Sequence, residues 1–348
     1  MFNNLFGSLS KDLGIDIGTA NTRVYVKDKG IVVNDPSVVA INTRNDQIIA
    51  VGQEARQMIG KTPPHIIASR PLVDGVVSDF EVAEKMLKYF IDKVHRETFS
   101  VIPRPRVVIS IPLDVTEVER KAVEDAVMSA GAREVFLIEE PMAAAIGSRV
   151  PIEDSTGHMI ADIGAGTTSI AVISLGGIVS WRSMRQAGDE LNKNIINYIR
   201  DHFNILLGDR TAEDAKMMIG TALEDDEVLE AKVRGRDMIS GLPREIVITS
   251  NHLREATARS INAMVDNIKL AIEATPPELV ADIYEKGILL SGGTSLLRHL
   301  DKKISNEISI PVSVVDDPLT AVVRGTGIVL EDIDAAKELF LTSPSDLE

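Results

Sequence analysis

The sequence predicts an α/β protein made of two related halves, and three observations carry that prediction. Short β-rich runs alternate with helical patterns along the whole chain, the signature of sheets layered with helices. An acidic residue, an apolar residue and a glycine, followed by a small polar loop, occur twice: "GIDIGTANT" at 14–22 and "ADIGAGTTS" at 161–169, with Asp16 and Asp162 separated by 146 positions. The 348 residues, 44% of them hydrophobic, suffice for about two domains with cores of their own.

The first run, "LGIDIG", breaks at "GTAN" and resumes as "TRVYV", which reads as a hairpin; Asp28-Lys29-Gly30 then turns the chain into "IVV". Past Pro36, "SVVAIN" and "QIIAVG" are strands, and the proline-punctuated "KTPPHIIASRPLVDG" at 61–75 reads as irregular. Ser78-x-x-Glu81 has the capping-box pattern ahead of Val82, Met86, Leu87, Phe90, Ile91 and Val94, an apolar face at helical spacing. "RVVISIP" (106–112) is a strand, and Thr116-x-x-Glu119 opens a second helix that stops near Gly131. "EVFLIEE" (134–140) is another strand, and Pro141 suits the first turn of the helix that follows.

The second half repeats the opening. "HMIADIG" leads through "AGTT" into "SIAVIS", turns at Gly176-Gly177 and continues as "IVS", which pairs Gly18 with Gly164, Thr22 with Thr168, Val24 with Ile170 and Val26 with Val172. Helices are expected around 189–203, 211–221 and 251–274, a β-rich stretch near 228–249, and a strand "GILLS" running into Gly292-Gly293. No long linker interrupts the pattern, so the domains are expected to be continuous.

Composition removes several functions. A formal charge of −15 opposes nucleic-acid binding, because a phosphate backbone demands a basic surface. Without cysteine there are no disulfides, thiolate metal sites or cysteine nucleophiles. No secretory segment and no apolar run of 18 residues is present, so a cytosolic location is expected.

A turn of small residues offers several backbone N–H groups at one spot, and such concavities hold phosphate oxygens. An aspartate beside a phosphate is repulsive unless a cation lies between them, a role suited to Mg²⁺, which binds through a few carboxylates, waters and phosphates. Two such turns would grip a polyphosphate from both sides, and this accounts for the duplication. Neither G-x-x-x-x-G-K-[ST] nor G-x-G-x-x-G occurs, so the two commonest phosphate loops are not the explanation.

"IDIGTANT", "EEPMAAAIG", "DIGAGTTS" and "LSGGTSLL", in that order, resemble the nucleotide-binding elements of the actin, Hsp70 and sugar-kinase superfamily. "GIVVNDPSVVA", "RPLVDGVVSDFEVAEKMLKYFI", "RTAEDAK", "GRDMISGLPREI", "EATPPEL" and "DDPLTAVVRGTG" are similar to its bacterial-actin branch, the MreB family, over residues 1 to about 330. The resemblance implies an actin-like (ribonuclease H-like) duplicated ATPase fold of two domains, each with a smaller inserted subdomain. The implied divisions are 1–33, 76–150 and 317–348 for subdomain IA, 34–75 for IB, 151–186 and 251–316 for IIA, and 187–250 for IIB.

It implies ATP or ADP as ligand, with Gly18, Thr19, Ala20 and Asn21 as the first phosphate loop and Gly164, Ala165, Gly166, Thr167 and Thr168 as the second. Asp16 and Asp162 would hold Mg²⁺ largely through water. Glu140, assisted by Thr167, would position the attacking water; Glu213 and Lys216 would bind the ribose; Gly292, Gly293 and Thr294 would approach the nucleoside and α-phosphate. Three departures stand out: Ala165 for a glycine, Ser169 for an acid, and Ser291 with Thr294 for the usual Thr and Gly.

The resemblance further implies filaments of paired protofilaments at the inner face of the cytoplasmic membrane, partnered with the cell-wall elongation machinery. A sugar kinase would need a substrate cleft with a catalytic base, and an Hsp70-type chaperone a further β-rich domain; a filament protein needs only the compact core. The membrane candidates are Phe2, Leu5, Phe6 and Leu9, at helical spacing, and Phe99, Val101 and Ile102 between flanking arginines.

Overall fold

A computed structural model describes residues 11–98 and 104–341. The chain forms two compact units. The first draws on the chain through Ser155, on Ile173–Ile178 and on the chain from Leu319; the second draws on Thr156–Val172 and Val179–Pro318.

In the first unit, β1 (Leu13–Ile17), β2 (Asn21–Val26) and β3 (Gly30–Pro36) form an antiparallel meander. β4 (Val39–Asn42), β5 (Gln47–Val51), α1 (Gln53–Met58), β6 (Ile66–Ser69), β7 (Leu72–Val73) and β8 (Val76–Val77) follow, then α2 (Phe80–Thr98), β9 (Arg106–Ile111), α3 (Glu117–Ser129), β10 (Glu134–Glu139) and α4 (Glu140–Gly147). The main sheet runs β10-β9-β1-β2-β3, with β9 parallel to both β1 and β10. β1 lies at its centre, and every residue of "LGIDI" is buried, as a strand covered on both faces requires.

The apolar face of α2 behaves as its spacing predicts: Val82, Met86, Leu87, Phe90, Ile91 and Val94 are all buried, each contributing roughly 1.5–3 kcal/mol. Its start differs from the sequence reading. Asp79 caps the helix through Oδ1, which accepts from the Val82 N–H at 3.1 Å, while the Ser78 hydroxyl donates to the Pro71 carbonyl at 3.0 Å. Thr116 and Glu119 form the expected capping box on α3. Arg106 at the start of β9 clasps Asp12 beside β1 through Nε, Nη2 and its backbone N–H, at 2.8–3.0 Å, and ties the parallel pair at its base.

The stretch 61–75 is more ordered than its prolines suggest. β6 pairs antiparallel with β4, and β7 with β8. A four-residue edge strand has too short a local pattern to read; its partner strand supplies the order.

The second unit repeats the plan. β11 (His158–Ile163), β12 (Thr168–Ser174) and β13 (Gly177–Met184) are followed by α5 (Gly188–Phe203), β14 (Ile205–Leu206), α6 (Asp209–Ile219), β15 (Glu230–Asp237), β16 (Pro243–Thr249), α7 (Ser250–Glu273), α8 (Pro277–Lys286), β17 (Ile288–Ser291), α9 (Leu300–Ile308) and β18 (Val312–Val314). Its sheet, β13-β12-β11-β17-β18, matches β3-β2-β1-β9-β10 strand for strand. Two small cores stand apart from the main ones: Val38, Ala40, Ala50 and Ala55 in the first unit, and a cluster around Ile195, Ile205, Ala215, Val233 and Ile248 in the second.

The last long helix, α10 (Ala321–Glu331), returns to the first unit and crosses α4 at backbone contact. A Cβ on Gly147 would lie 1.9 Å from the Ala321 carbonyl oxygen, and one on Gly325 would lie 1.8 Å from that of Ala143. Only glycines permit that approach, and it sets the position of α4 and of Glu140 at its start.

Candidate nucleotide site

The two acid turns close identically. The Gly18 N–H donates to the Asn21 carbonyl at 3.1 Å, and the Gly164 N–H to the Thr167 carbonyl at 2.9 Å. Each turn thus sits between two paired strands, with an aspartate two residues before the first glycine.

In the first unit, Asp16 is buried and Arg23, opposite it on β2, donates from Nη1 to Oδ2 at 3.0 Å. Burial pushes the Asp16 carboxyl above its ordinary range, and the guanidinium opposes that rise without cancelling it. Ser37 props the turn from beneath: its hydroxyl donates to the Gly18 carbonyl at 2.6 Å, its N–H to the Ala20 carbonyl at 2.9 Å, and its oxygen lies 2.9 Å from the Thr22 hydroxyl. The turn's carbonyls are thereby engaged by the protein, as suits a loop that offers N–H groups to an anion. The Thr19 hydroxyl accepts from the Gly75 N–H at 3.0 Å, so the segment read as irregular braces the turn. Asn21 Nδ2 donates to Asn34 at 3.3 Å.

Two glutamates end β10 and begin α4. Glu139 occupies the N-cap position, half-buried, and burial raises its carboxyl pKa. Glu140 is buried at 7% exposure, the first residue of the helix, with Pro141 in the first turn.

In the second unit, Ser291 Oγ donates to Asp162 Oδ1 at 2.6 Å. Thr294 Oγ1 donates to the Gly164 carbonyl at 2.7 Å, the Gly188 N–H approaches the same oxygen at 3.2 Å, and the Asp189 N–H reaches the Ala165 carbonyl at 2.8 Å. The Thr168 hydroxyl donates to the Gln186 carbonyl at 2.8 Å. Gly292 has φ of 81°, and a Cβ there would lie 2.4 Å from the Ile163 carbonyl oxygen, so this position admits glycine alone. Gly293 and Thr294 begin a short 3-10 turn, Gly293–Leu296. Lys216 on α6 donates to the Gly188 carbonyl at 2.8 Å, which brings it to the same cluster; Glu213 lies one helical turn earlier on α6. The structure therefore gathers Asp162, Gly164, Ala165, Gly292, Thr294 and Lys216 around one turn. Thr167 is buried at the end of that turn, with Gly166 beside it.

The departures from the family pattern have local accounts. Ala165 is not among the positive-φ residues, so an alanine fits its backbone without strain. Ser291 donates its hydroxyl to the Asp162 carboxylate and Thr294 donates its own to the Gly164 carbonyl. Ser169 is fully buried, and its hydroxyl has no partner among the described residues. Sequence reading missed Arg23 and Ser37. The signal for Arg23 was available: a hairpin closed at Gly18 and Asn21 sets position 23 opposite Asp16. Ser37 carried no such signal, since its role depends on β3 returning beside β2. Phe2, Leu5, Phe6, Leu9, Phe99, Val101 and Ile102 lie outside the described residues.

Two five-stranded sheets of the same order, each with an acid-and-glycine turn after its central strand, define an actin-like protein. The family model described as MreB/Mbl protein matches residues 10–338. The chain belongs to the MreB/Mbl family. The cell shape-determining protein MreB of Escherichia coli K12 is 50% identical over 340 residues, 96% of this chain and 97% of that protein. The cell shape-determining protein Mbl of Bacillus subtilis is 46% identical over 325 residues, 93% and 97% of the two chains. Among solved structures, ADP-bound MreB5 of Spiroplasma citri superposes with a TM-score of 0.89 at 37% identity, over 94% of this chain and 98% of that one; MreB5 is also known bound to AMPPNP. A MamK double helical filament shares the fold, with a TM-score of 0.78 at 22% identity over 93% and 99% of the chains.

Proposed function

We propose that this chain is a Mg²⁺-dependent ATPase that polymerises into filaments of paired protofilaments on the inner face of the cytoplasmic membrane and there organises cell-wall synthesis to maintain rod shape. The observation that carries the reading is the pair of identically closed acid turns, in a member of a family whose relatives are named for determining cell shape. Structures of MreB5 with ADP and AMPPNP support an adenine nucleotide as ligand.

In this reading the turns Gly18–Asn21 and Gly164–Thr168 receive the phosphates. Glu213 and Lys216 hold the ribose, and Gly292, Gly293 and Thr294 approach the nucleoside. Asp16 and Asp162 suit Mg²⁺. Among the described residues no three carboxylate or imidazole groups gather into a cage, and Mg²⁺ prefers one or two carboxylates completed by water and phosphate oxygens. The bound ion would neutralise phosphate charge. Glu140, buried and fixed by the close crossing of α4 and α10, with Thr167 assisting, orients the attacking water, which is most of what phosphoryl transfer asks of a protein. The two small cores support inserted subdomains at 34–75 (IB) and 187–250 (IIB), with 1–33, 76–150 and 317–348 as IA and 151–186 with 251–316 as IIA. No described helix is long and apolar enough to cross a membrane. Attachment is assigned to Phe2, Leu5, Phe6 and Leu9, with Phe99, Val101 and Ile102 as the second candidate.

Sedimentation with negative-stain microscopy and phosphate release tests the reading. ATP with Mg²⁺ should pellet the protein as filaments and release phosphate. Protein that stays in the supernatant while phosphorylating a sugar would be a soluble kinase, and the reading would fall.

A further inference from the structure

The two acid turns are built alike but differ in the residue that stands opposite the acid on the next strand. Residues in register on neighbouring strands project from the same face of a sheet. In the first unit this makes a row of Ser110, Asp16 and Arg23 across β9, β1 and β2. The Arg23–Asp16 pair sits at 3.0 Å with side chains only 12% and 9% exposed. In the second unit Ser291 is in register with Asp162. Counting from the same turn-closing bond, Ser169 falls opposite Asp162, in the place Arg23 takes opposite Asp16. One repeat therefore places a permanent cation at that position, and the other a neutral hydroxyl.

A carboxylate this deeply buried is costly unless a positive group offsets it, and bringing phosphate near raises the demand. We infer that Arg23 is the fixed cation of the first turn: it positions Asp16 and supplies there the compensation that a divalent ion would otherwise provide, so that it sets how strongly nucleotide binding depends on Mg²⁺. The Nε–H of Arg23 is buried with no partner among the described residues, so the guanidinium keeps a donor that the protein has not used. The inference rests on the adenine-nucleotide reading and concerns positioning, not the chemical step.

The test is the affinity of a fluorescent ATP analogue, measured with saturating Mg²⁺ and with EDTA, below the concentration at which the protein assembles. Wild type and Arg23→Lys should lose affinity by similar factors on chelation. Arg23→Leu should lose about tenfold more than wild type on chelation, because its buried Asp16 has lost its partner, and Mg²⁺ should restore most of that loss. The double variant Asp16→Asn/Arg23→Leu removes both charges and should lose less on chelation than Arg23→Leu, because no uncompensated carboxylate remains; if Arg23→Leu fails to fold, Arg23→Gln takes its place in every comparison. Equal ratios for Arg23→Leu and wild type, or a double variant as metal-dependent as Arg23→Leu, would overturn the inference. Wild type that binds no analogue in either condition would instead overturn the nucleotide reading beneath it.

Discussion

Glu139 and Glu140 are adjacent, chemically identical and differently placed. Glu139 stands half-buried at the N-cap position of α4, whereas Glu140 lies inside the first turn at 7% exposure. A water-positioning group must itself be held still, and the backbone contact of α4 with α10 at Gly147 and Gly325 holds Glu140. Glu140→Ala should therefore leave ATP affinity within about threefold while slowing phosphate release by about a hundredfold, the lower end for loss of a positioned acid–base group. Glu139→Ala, measured beside it in single-turnover phosphate release, should change the rate far less. An unaltered rate in Glu140→Ala would remove that residue from the chemistry. The sequence pointed to Glu140 only through the motif around Pro141; its burial and rigidity belong to contacts with a helix some 180 residues further along the chain.

At the scale of elements, local chemistry was readable where a segment carries its own signal. The capping box at Thr116, the apolar face of α2 and both acid hairpins are of this kind. The cap of α2 is not: Ser78 and Asp79 are both competent caps, and Ser78 is claimed by the Pro71 carbonyl, which lies on another strand end. The hairpin of β15 and β16 offers a test at this scale. Asp237 accepts from the Ser240 and Ile239 N–H groups and from Arg244 at 2.8–3.0 Å, and these bonds hold its carboxyl down at about 2, from 3.8. The folded tip thus favours the ionised form. Its contribution is whole above about pH 4 and is lost as pH falls through about 2. Amide exchange at Ile239 and Ser240 should accelerate over that window in wild type, whereas Asp237→Asn should show faster exchange already at pH 6 and no transition. Exchange in wild type that ignores pH between 5 and 2 would dismiss the cap as a stabilising element.

At the scale of the whole molecule, weak contacts add only when copies are joined. Burying Phe2, Leu5, Phe6 and Leu9 in a lipid interface yields at most about 6–12 kcal/mol. Ordering a dozen residues costs roughly 1–2 kcal/mol each, so one subunit alone should bind a bilayer marginally. The formal charge of −15 works against anionic lipid as well. A filament presents many such anchors at once, and avidity changes the sum. Liposome flotation should accordingly require both ATP-driven assembly and residues 2–9. If a 2–9 deletion floats like the intact chain, attachment passes to the segment holding Phe99, Val101 and Ile102. If unassembled protein floats equally well, the avidity argument is wrong.

The sequence by itself determined the duplication, the α/β class and the acid-and-glycine turns, because each is written within a dozen consecutive residues and needs only hydrogen bonding to near neighbours. It also carried the family, through ordered motifs spread over nearly the whole chain. The tertiary structure alone decided which side chains attend those turns. Ser37 under Gly18, Ser291 on Asp162, Thr294 on Gly164 and Lys216 at Gly188 each come from another segment of the chain, 19 to 130 residues away. The physical reason is range: a hydrogen bond or ion pair acts over about 3 Å, and only the pairing of distant strands brings those atoms that close.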